Sequence, residues 1–252
     1  MNIVWLSANL LGYELLKEAL KIKESEIKAV ITLSKNSKTI MYDSVENEKW
    51  HKLGIKVIEV DRVNEEEKIM KELNPDLIIM SGWRQIVDKN ILDIPKKGFI
   101  GFHPTLLPKG RGPAPIINSI LEGFKESGLT IYYVSEGLDG GDIIAQEKFT
   151  IEDEDYAQDV YNKVIEAGKK LIREQLPLLI EGKASRIPQN EEKATVFEKR
   201  SLEDNGINLE KEDISEIYKK IRALSKPYKG AFIKKKNKKL IIWKAEIEDI
   251  KE

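Results

Sequence analysis

The chain has 252 residues, 41% hydrophobic and 34% charged, with a net charge of −1. That length suits one large α/β domain with at most a small appendage, and the balanced charge argues against neutralising a long run of nucleic-acid phosphates. The absence of cysteine excludes disulfides, thiolate nucleophiles and Cys-ligated metals. The first residues, Met-Asn-Ile-Val-Trp-Leu-Ser, carry no basic leader and read as a strand, and no apolar run approaches membrane length. A cytoplasmic protein without membrane partners is the expectation.

The first half alternates strand and helix. Residues 3–6 form a short apolar strand, and 10–22 carry Leu11, Leu15, Leu16, Ala19 and Leu20 at helical spacing. Residues 27–33 are the second strand, 45–53 a weak helix and 55–60 the third strand. Residues 64–73 read as a helix with Asn64 as cap and Glu67 at the capping-box position, stopped by Asn74-Pro75-Asp76. Residues 77–80 are continuously apolar, as a strand buried on both faces should be, and 99–102 form the next strand. This rhythm predicts an α/β fold with a doubly wound, mostly parallel, Rossmann-like sheet.

A loop rich in Pro and Gly follows, then a helix over 114–121. Residues 129–134 and 143–149 read as hairpin strands joined by the turn at Asp139. Asp155 with Gln158 suggests a capping box opening a long amphipathic helix, which Pro177 should kink or end. Polar residues 188–194 mark the expected boundary between a catalytic domain, 1–187, and a small α+β C-terminal subdomain, 188–252. The subdomain should hold one amphipathic helix (Ile214, Ile217, Ile221, Leu224) and strands over 231–233 and 240–243. Five lysines between residues 234 and 239 read as a solvated hairpin tip in preference to a nucleic-acid patch. Ile241, Ile242 and Trp243 leave a homodimer contact or a small local core both open.

The chemistry concentrates at two glycine-rich segments. Residues 101–112 read Gly-Phe-His-Pro-Thr-Leu-Leu-Pro-Lys-Gly-Arg-Gly, and residues 138–142 read Leu-Asp-Gly-Gly-Asp. His103, one of two histidines, ends an apolar run and precedes Pro104, so its ring stands at a strand end. A carboxylate such as Asp139 could orient it for proton transfer near neutrality. The bland alternative is a surface His and a turn Asp that never meet. Arg111, among Gly110, Gly112, Pro113 and Pro115, suits contact with a phosphate or a solvent-facing turn. No Gly-x-Gly-x-x-Gly follows the first strand; Ser7-Ala-Asn-Leu-Leu-Gly12 stands there instead, which leaves a dinucleotide role unsupported. No metal site is expected, since only His103 is suitably placed. His51, beside Trp50, reads as a surface residue, and no serine-nucleophile elbow occurs.

The ordered set His-Pro-Thr-Leu-Leu-Pro-x-x-Arg-Gly-x-Ala-Pro, Gly128-Leu-Thr130 and Gly-Leu-Asp-x-Gly-Asp-Ile resembles the 10-formyltetrahydrofolate-dependent formyltransferases, the group that includes methionyl-tRNA formyltransferase. The resemblance runs along nearly the whole chain. Ile221-Arg-Ala-Leu-Ser-Lys-Pro-Tyr-Lys-Gly-Ala-Phe232 is similar to a segment of the sugar-nucleotide N-formyltransferases. The resemblance implies 10-formyltetrahydrofolate as cosubstrate, with Ser81, Gly82, Trp83, Arg84, Gln85 and Ile86 at the pterin pocket and Leu138, Gly140 and Asp142 as further folate-binding residues. It implies His103 and Asp139 as the catalytic pair. It also implies an acceptor site drawing on Ser7, Asn9, Thr105, Leu106, Lys109, Gly110, Arg111 and Gly112. The implied acceptor is a nucleotide-linked amino sugar, a 4-amino-4-deoxy or 4-amino-4,6-dideoxy hexose, in lipopolysaccharide or surface-polysaccharide biosynthesis.

One position departs from the family. The resemblance implies an asparagine two residues before the histidine, and here that residue is Gly101. A lost oxyanion donor costs on the order of 10²–10³ in rate, so a backbone N–H, a water or a side chain such as Asn118 would have to replace it. Three other functions remain open on these residues. Initiator-tRNA formylation is disfavoured by the near-zero charge and by a tail short for that family's C-terminal barrel. Formyltetrahydrofolate hydrolysis and a non-catalytic folate or sugar binder are the others.

Overall fold

Period-two alternation in the first strand, β1 (Asn2–Leu6), sets the layering: Ile3 and Trp5 enter one apolar layer, Val4 and Leu6 another. A strand buried on both faces needs helices on both sides of its sheet. The structure is a computed structural model describing residues 1–250. The last two residues of the expected 188–252 tail lie outside the described residues.

The chain continues through α1 (Leu10–Ala19), β2 (Glu26–Leu33), α2 (Asn47–His51), β3 (Lys56–Val60), α3 (Glu67–Leu73), β4 (Leu77–Met80) and α4 (Lys89–Leu92). Then come β5 (Phe99–His103), α5 (Pro115–Leu121), β6 (Glu126–Tyr133), β7 (Ile143–Thr150) and α6 (Ala157–Glu181). The strands form one seven-stranded sheet of order β3-β2-β1-β4-β5-β6-β7. Strands β1 to β5 pair in parallel, while β6 runs antiparallel to both neighbours. The mostly parallel, doubly wound sheet expected from the sequence is therefore present. Helices α1, α5 and α6 cover one face, with Leu15, Ile117 and Val164 in the layer; α3 and α4 cover the other through Met70 and Ile91.

Several local expectations are corrected. Helix α3 starts at Glu67, behind a 3₁₀ turn over Val63–Glu65. Asn64 does not cap it: its amide donates to the Ile86 carbonyl at 3.0 Å and its oxygen accepts from the Asp88 N–H at 3.0 Å. Asn74 ends the helix in a left-handed conformation, as its sequence context suggested. At the start of α6, Asp159 rather than Gln158 reaches back, accepting from the Tyr156 N–H at 2.9 Å. Asp155 accepts instead from the Glu152 N–H at 2.8 Å and pairs with Lys163. Pro177 does not end α6, which runs on to Glu181. The ring removes one backbone donor near the helix end, while buried Leu176 and Leu179 hold that turn on the sheet.

In the tail, α7 (Ile214–Leu224) opens with a capping box between Asp213 and Glu216. Ile221 and Leu224 are buried, whereas Ile214, in the uncovered first turn, is exposed. Strands β8 (Ala231–Lys235) and β9 (Lys238–Ile242) pair as a hairpin with Lys236 left-handed at its tip. Lys234 and Lys239 both face Glu203. Arg222 fastens α7 to the start of α6, donating to the Asp155 carbonyl at 2.8 Å.

Helix α6 is seated through a missing side chain. A Cβ on Gly168 would lie 2.6 Å from Leu15 Cδ2 and 3.0 Å from Leu129 Cδ2. A helical glycine costs about 1 kcal/mol against alanine, which the close approach of α1 and β6 offsets. Gly168→Val is expected to lower stability by about 2 kcal/mol through overpacking, read from the denaturation midpoint in urea. An unchanged midpoint would show that the seat is loose.

Candidate active site

The alternation of β5 aims the candidate histidine. Ile100 and Phe102 enter the layer under α5 and α6, so Gly101 and His103 share the opposite face. Pro104 ends the strand. His103 is buried between two acceptors: Nε2 lies 2.7 Å from the Gly110 carbonyl oxygen and Nδ1 lies 3.5 Å from Asp139 Oδ2. A carbonyl only accepts, so the proton at this contact sits on Nε2.

The loop after the histidine is held at both ends. The Thr105 N–H donates to the His103 carbonyl at 2.8 Å, and the Thr130 hydroxyl donates to the Thr105 carbonyl at 2.6 Å. The Gly110 N–H donates to Thr195 Oγ1 at 2.8 Å. Gly110 has a φ of +74°, and a Cβ there would strike the Phe197 ring at 2.8 Å. Only glycine meets both demands.

Asp139 stands in the turn between β6 and β7 with a φ of +50°. Its Oδ2 accepts from the Gly112 N–H at 2.8 Å, and its Oδ1 accepts from the Tyr132 hydroxyl at 2.7 Å. Gln189 donates to the carbonyls of Asp139 and Gly141, at 2.7 Å each. Burial and the neighbouring Asp139 charge push the Tyr132 phenol well above its ordinary pKa, so it stays a donor.

Gly101 pairs with Tyr132 across β5 and β6. A Cβ at residue 101 would lie 2.8 Å from Tyr132 Cε1 and from Val134 Cγ2. The space above Gly101 is therefore filled by the tyrosine ring. Asn118 takes no part here: its amide donates to the Pro113 carbonyl at 3.0 Å, inside its own helix entry.

The remaining candidates divide sharply. Arg111 is buried, and its guanidinium is engaged within the chain. Nε and Nη2 donate to Gln189 Oε1 at 3.1 and 2.8 Å, and Nη1 and Nη2 form a bidentate pair with Glu191 at 2.9 and 2.7 Å. The hydrogen bond to Glu191 raises the Arg111 pKa and lowers that of Glu191. The free phosphate-binding cation expected from the sequence is thus already matched by a carboxylate. Ser7 and Asn9 are buried as well. Asn9 caps α1, accepting from the Gly12 N–H at 2.9 Å and donating to Asp43 at 2.9 Å. Gln85 ties three neighbours together, at Thr39, the Asp61 carbonyl and the Val63 N–H.

Arg84 lies against Asp43 at 3.3 Å and over the Tyr42 ring at 5.3 Å. Ile86 and Leu138 are exposed, and Lys109 sits 3.8 Å over the Phe124 ring. Thr105 donates to the Gly110 carbonyl at 3.3 Å, and the Leu106 side chain packs against Gly128. Gly140 borders Arg111, and Asp142 pairs with Arg186 at 3.6 Å. At Gly82, with a φ of +63°, a Cβ would strike the Asn9 amide. Ser81 Oγ and Trp83 Nε1 are buried without a hydrogen-bond partner among the described residues.

Sequence reasoning missed Tyr132, Gln189, Glu191, Asp43 and Tyr161. Tyr132 was discoverable: strict alternation along β6 puts it on the same face as Thr130, opposite His103 and Gly101. Gln189 and Glu191 gave no local signal, because only chain return brings residues 189–197 onto the loop at 110–112. The Asp43 carboxylate receives the Tyr161 hydroxyl at 2.5 Å across 118 positions of sequence.

A family model described as formyl transferase matches residues 1–176, and the formyl transferase C-terminal domain matches residues 199–252. A methionyl-tRNA formyltransferase of Halalkalibacterium halodurans is 38% identical over 194 residues, 76% of this chain and 61% of that protein. The chain thus spans under two thirds of the length of such relatives. The structure of an N-formyltransferase from Helicobacter canadensis, solved with folinic acid and dTDP-3-aminofucose, aligns with a TM-score of 0.69 at 25% identity. That alignment covers 88% of this chain and 79% of the other. A 4-N formyltransferase from Francisella tularensis shares the fold, with a TM-score of 0.78 at 21% identity over 99% and 98% of the two chains.

The bracing of the Asp139 turn by residues 189–191 is directly testable. Gln189→Ala leaves two turn carbonyls without donors and is expected to cost about 1–3 kcal/mol in urea unfolding. Glu191→Gln, at an exposed end of the pair, should leave stability nearly unchanged. The reverse ranking would assign the brace to the ion pair instead.

Proposed function

The chain belongs to the formyl transferase family, and we propose that it transfers the formyl group of 10-formyltetrahydrofolate to the amino group of a nucleotide-linked amino sugar. The observation carrying the transfer reading is the His103–Asp139 contact at the end of β5, inside the segment that matches the family model. The acceptor reading is supported by residues 221–232, by the net charge of −1, and by the likeness to the Helicobacter canadensis structure with its folate and nucleotide sugar. A 4-amino-4-deoxy or 4-amino-4,6-dideoxy hexose is the acceptor proposed first, with 3-amino isomers as comparators.

The residues present suit a folate near β4. The unpartnered Ser81 hydroxyl and Trp83 indole N–H leave buried polar atoms at the strand end, where a ligand's polar edge would complete them. Ser81 to Ile86, with Leu138, Gly140 and Asp142, are the proposed folate contacts. When bound, 10-formyltetrahydrofolate supplies the one-carbon group. His103 provides the proton exchange: the amine attacking the formyl carbon would shed a proton to the imidazole, which would return it to the folate nitrogen as the bond from that nitrogen to the formyl carbon breaks. Asp139 fixes the ring's tilt and balances its charge. Thr105, Leu106, Lys109, Gly110 and Gly112 border the proposed acceptor side.

A second reading has its own support. The 38% identity to methionyl-tRNA formyltransferase points to an aminoacyl-tRNA acceptor, against which stands the weak electrostatic attraction of a near-neutral chain for tRNA.

Incubation with 10-formyltetrahydrofolate and dTDP- or UDP-linked 4-amino and 3-amino sugars should yield a product heavier by one formyl group. His103→Asn should lower turnover by about 10²–10⁴-fold with the fold intact by circular dichroism. Formylation of charged initiator tRNA alone would replace the sugar reading. Donor consumption without acceptor would replace it with hydrolysis.

A further inference from the structure

We propose that Tyr132 is the positioning residue of this site: with its ring seated on Gly101, its hydroxyl holds the Asp139 carboxylate against His103. Three observations carry this. The antiparallel register sets Tyr132 directly across from Gly101, on the face that carries His103. The ring occupies the volume that any Cβ at residue 101 would need, with contacts of 2.8 and 2.9 Å. The hydroxyl then donates to Asp139 Oδ1 at 2.7 Å, leaving Oδ2 to the Gly112 N–H and to His103 Nδ1.

The geometry restricts the carboxylate to one orientation. Asp139 sits in a turn with a left-handed backbone, a conformation that aspartate tolerates better than most side chains. One side-chain oxygen is claimed by a backbone N–H from the histidine loop. The other is claimed by the phenol of the neighbouring strand. A carboxylate gripped at both oxygens cannot rotate, and rotation is what would carry Oδ2 away from the imidazole. Energetics favour the arrangement. Burial of the phenol ring on Gly101 offsets what a glycine costs in a strand. The chain gives up a side chain at residue 101 and gains an aimed hydroxyl from residue 132. The neighbouring Tyr133 does not serve: its ring lies on the other side of the strand, 3.7 Å under the Arg186 guanidinium.

The role in turnover rests on the formyl-transfer reading above; the role in holding Asp139 does not, and the two are tested separately. Tyr132→Phe keeps the ring on Gly101 and removes the hydroxyl. It should retain the melting temperature within a few degrees and the affinity for folinic acid, read by tryptophan fluorescence. In a His51→Gln background His103 is the single imidazole. There, under acidic conditions that protonate both ring nitrogens, the downfield Nδ1–H proton resonance of an imidazolium facing the carboxylate should be present with Tyr132 and lost with Phe. With an acceptor in hand, kcat should fall about tenfold while KM for donor and acceptor holds, which a merely structural loss would not produce. Gly101→Ala should displace the ring and give the same kcat loss. The double variant Gly101→Ala/Tyr132→Phe should be no worse than either single, because both act through one contact.

Retention of the resonance in Tyr132→Phe, or its absence when Tyr132 is present, would overturn the proposal. So would wild-type kcat in the phenylalanine variant, or additive losses in the double. If no acceptor is formylated by the unaltered protein, the functional reading fails and the resonance alone decides the role of Tyr132.

Discussion

A single carboxylate ties the candidate site together. Asp139 receives a backbone N–H from the histidine loop at Gly112, a phenol from β6 at Tyr132, and faces the imidazole that ends β5. Its own carbonyl accepts from Gln189, more than forty positions downstream. A partly buried charge without such donors would cost several kcal/mol, so each segment that approaches it must bring a donor. The histidine loop and β6 each answer that demand with one donor, while the returning strap at 189–197 braces the backbone of the turn.

The strap also changes the meaning of the neighbouring cation. Arg111 has the residue type and the glycine setting of an anion-binding position. Four of its five N–H donors, however, go to Gln189 and Glu191. The guanidinium orients Gln189, and Gln189 in turn secures the turn carbonyls beside Asp139. A buried arginine with a matched carboxylate acts here as a structural clamp reaching the site through one amide side chain.

A second network lies at the same end of the sheet, the carboxyl end of its parallel strands. Asp43, Asn9, Tyr161 and Arg84 join the loop after β1, the segment after β2, α6 and the loop after β4. Burial and the adjacent Asp43 charge keep the Tyr161 phenol protonated as a donor. Loops at the carboxyl ends of β1 and β4 are thus fastened by the chain's own side chains, which suits a preformed site at the carboxyl edge of a parallel sheet.

The amino-acid order by itself determined what depends on neighbours in the chain. The apolar run 3–6 announced a strand, the continuous apolar run 77–80 announced one buried on both faces, and the Phe102-His103-Pro104 step announced an imidazole at a strand end. The spacing of the two glycine-rich segments and the family resemblance rested on local strings as well. Only the tertiary structure decided which polar side chains pair. Asn64, Asp155 and Arg111 all carry the right chemistry for the roles their local sequence suggests. Each is drawn instead to a partner 3 to 80 positions away, because a hydrogen bond is set by distance in space and not along the chain. The same holds for Gly101. Its lack of a side chain is written in the sequence; the ring that occupies its space comes from the register of β5 against β6, which only the folded sheet establishes.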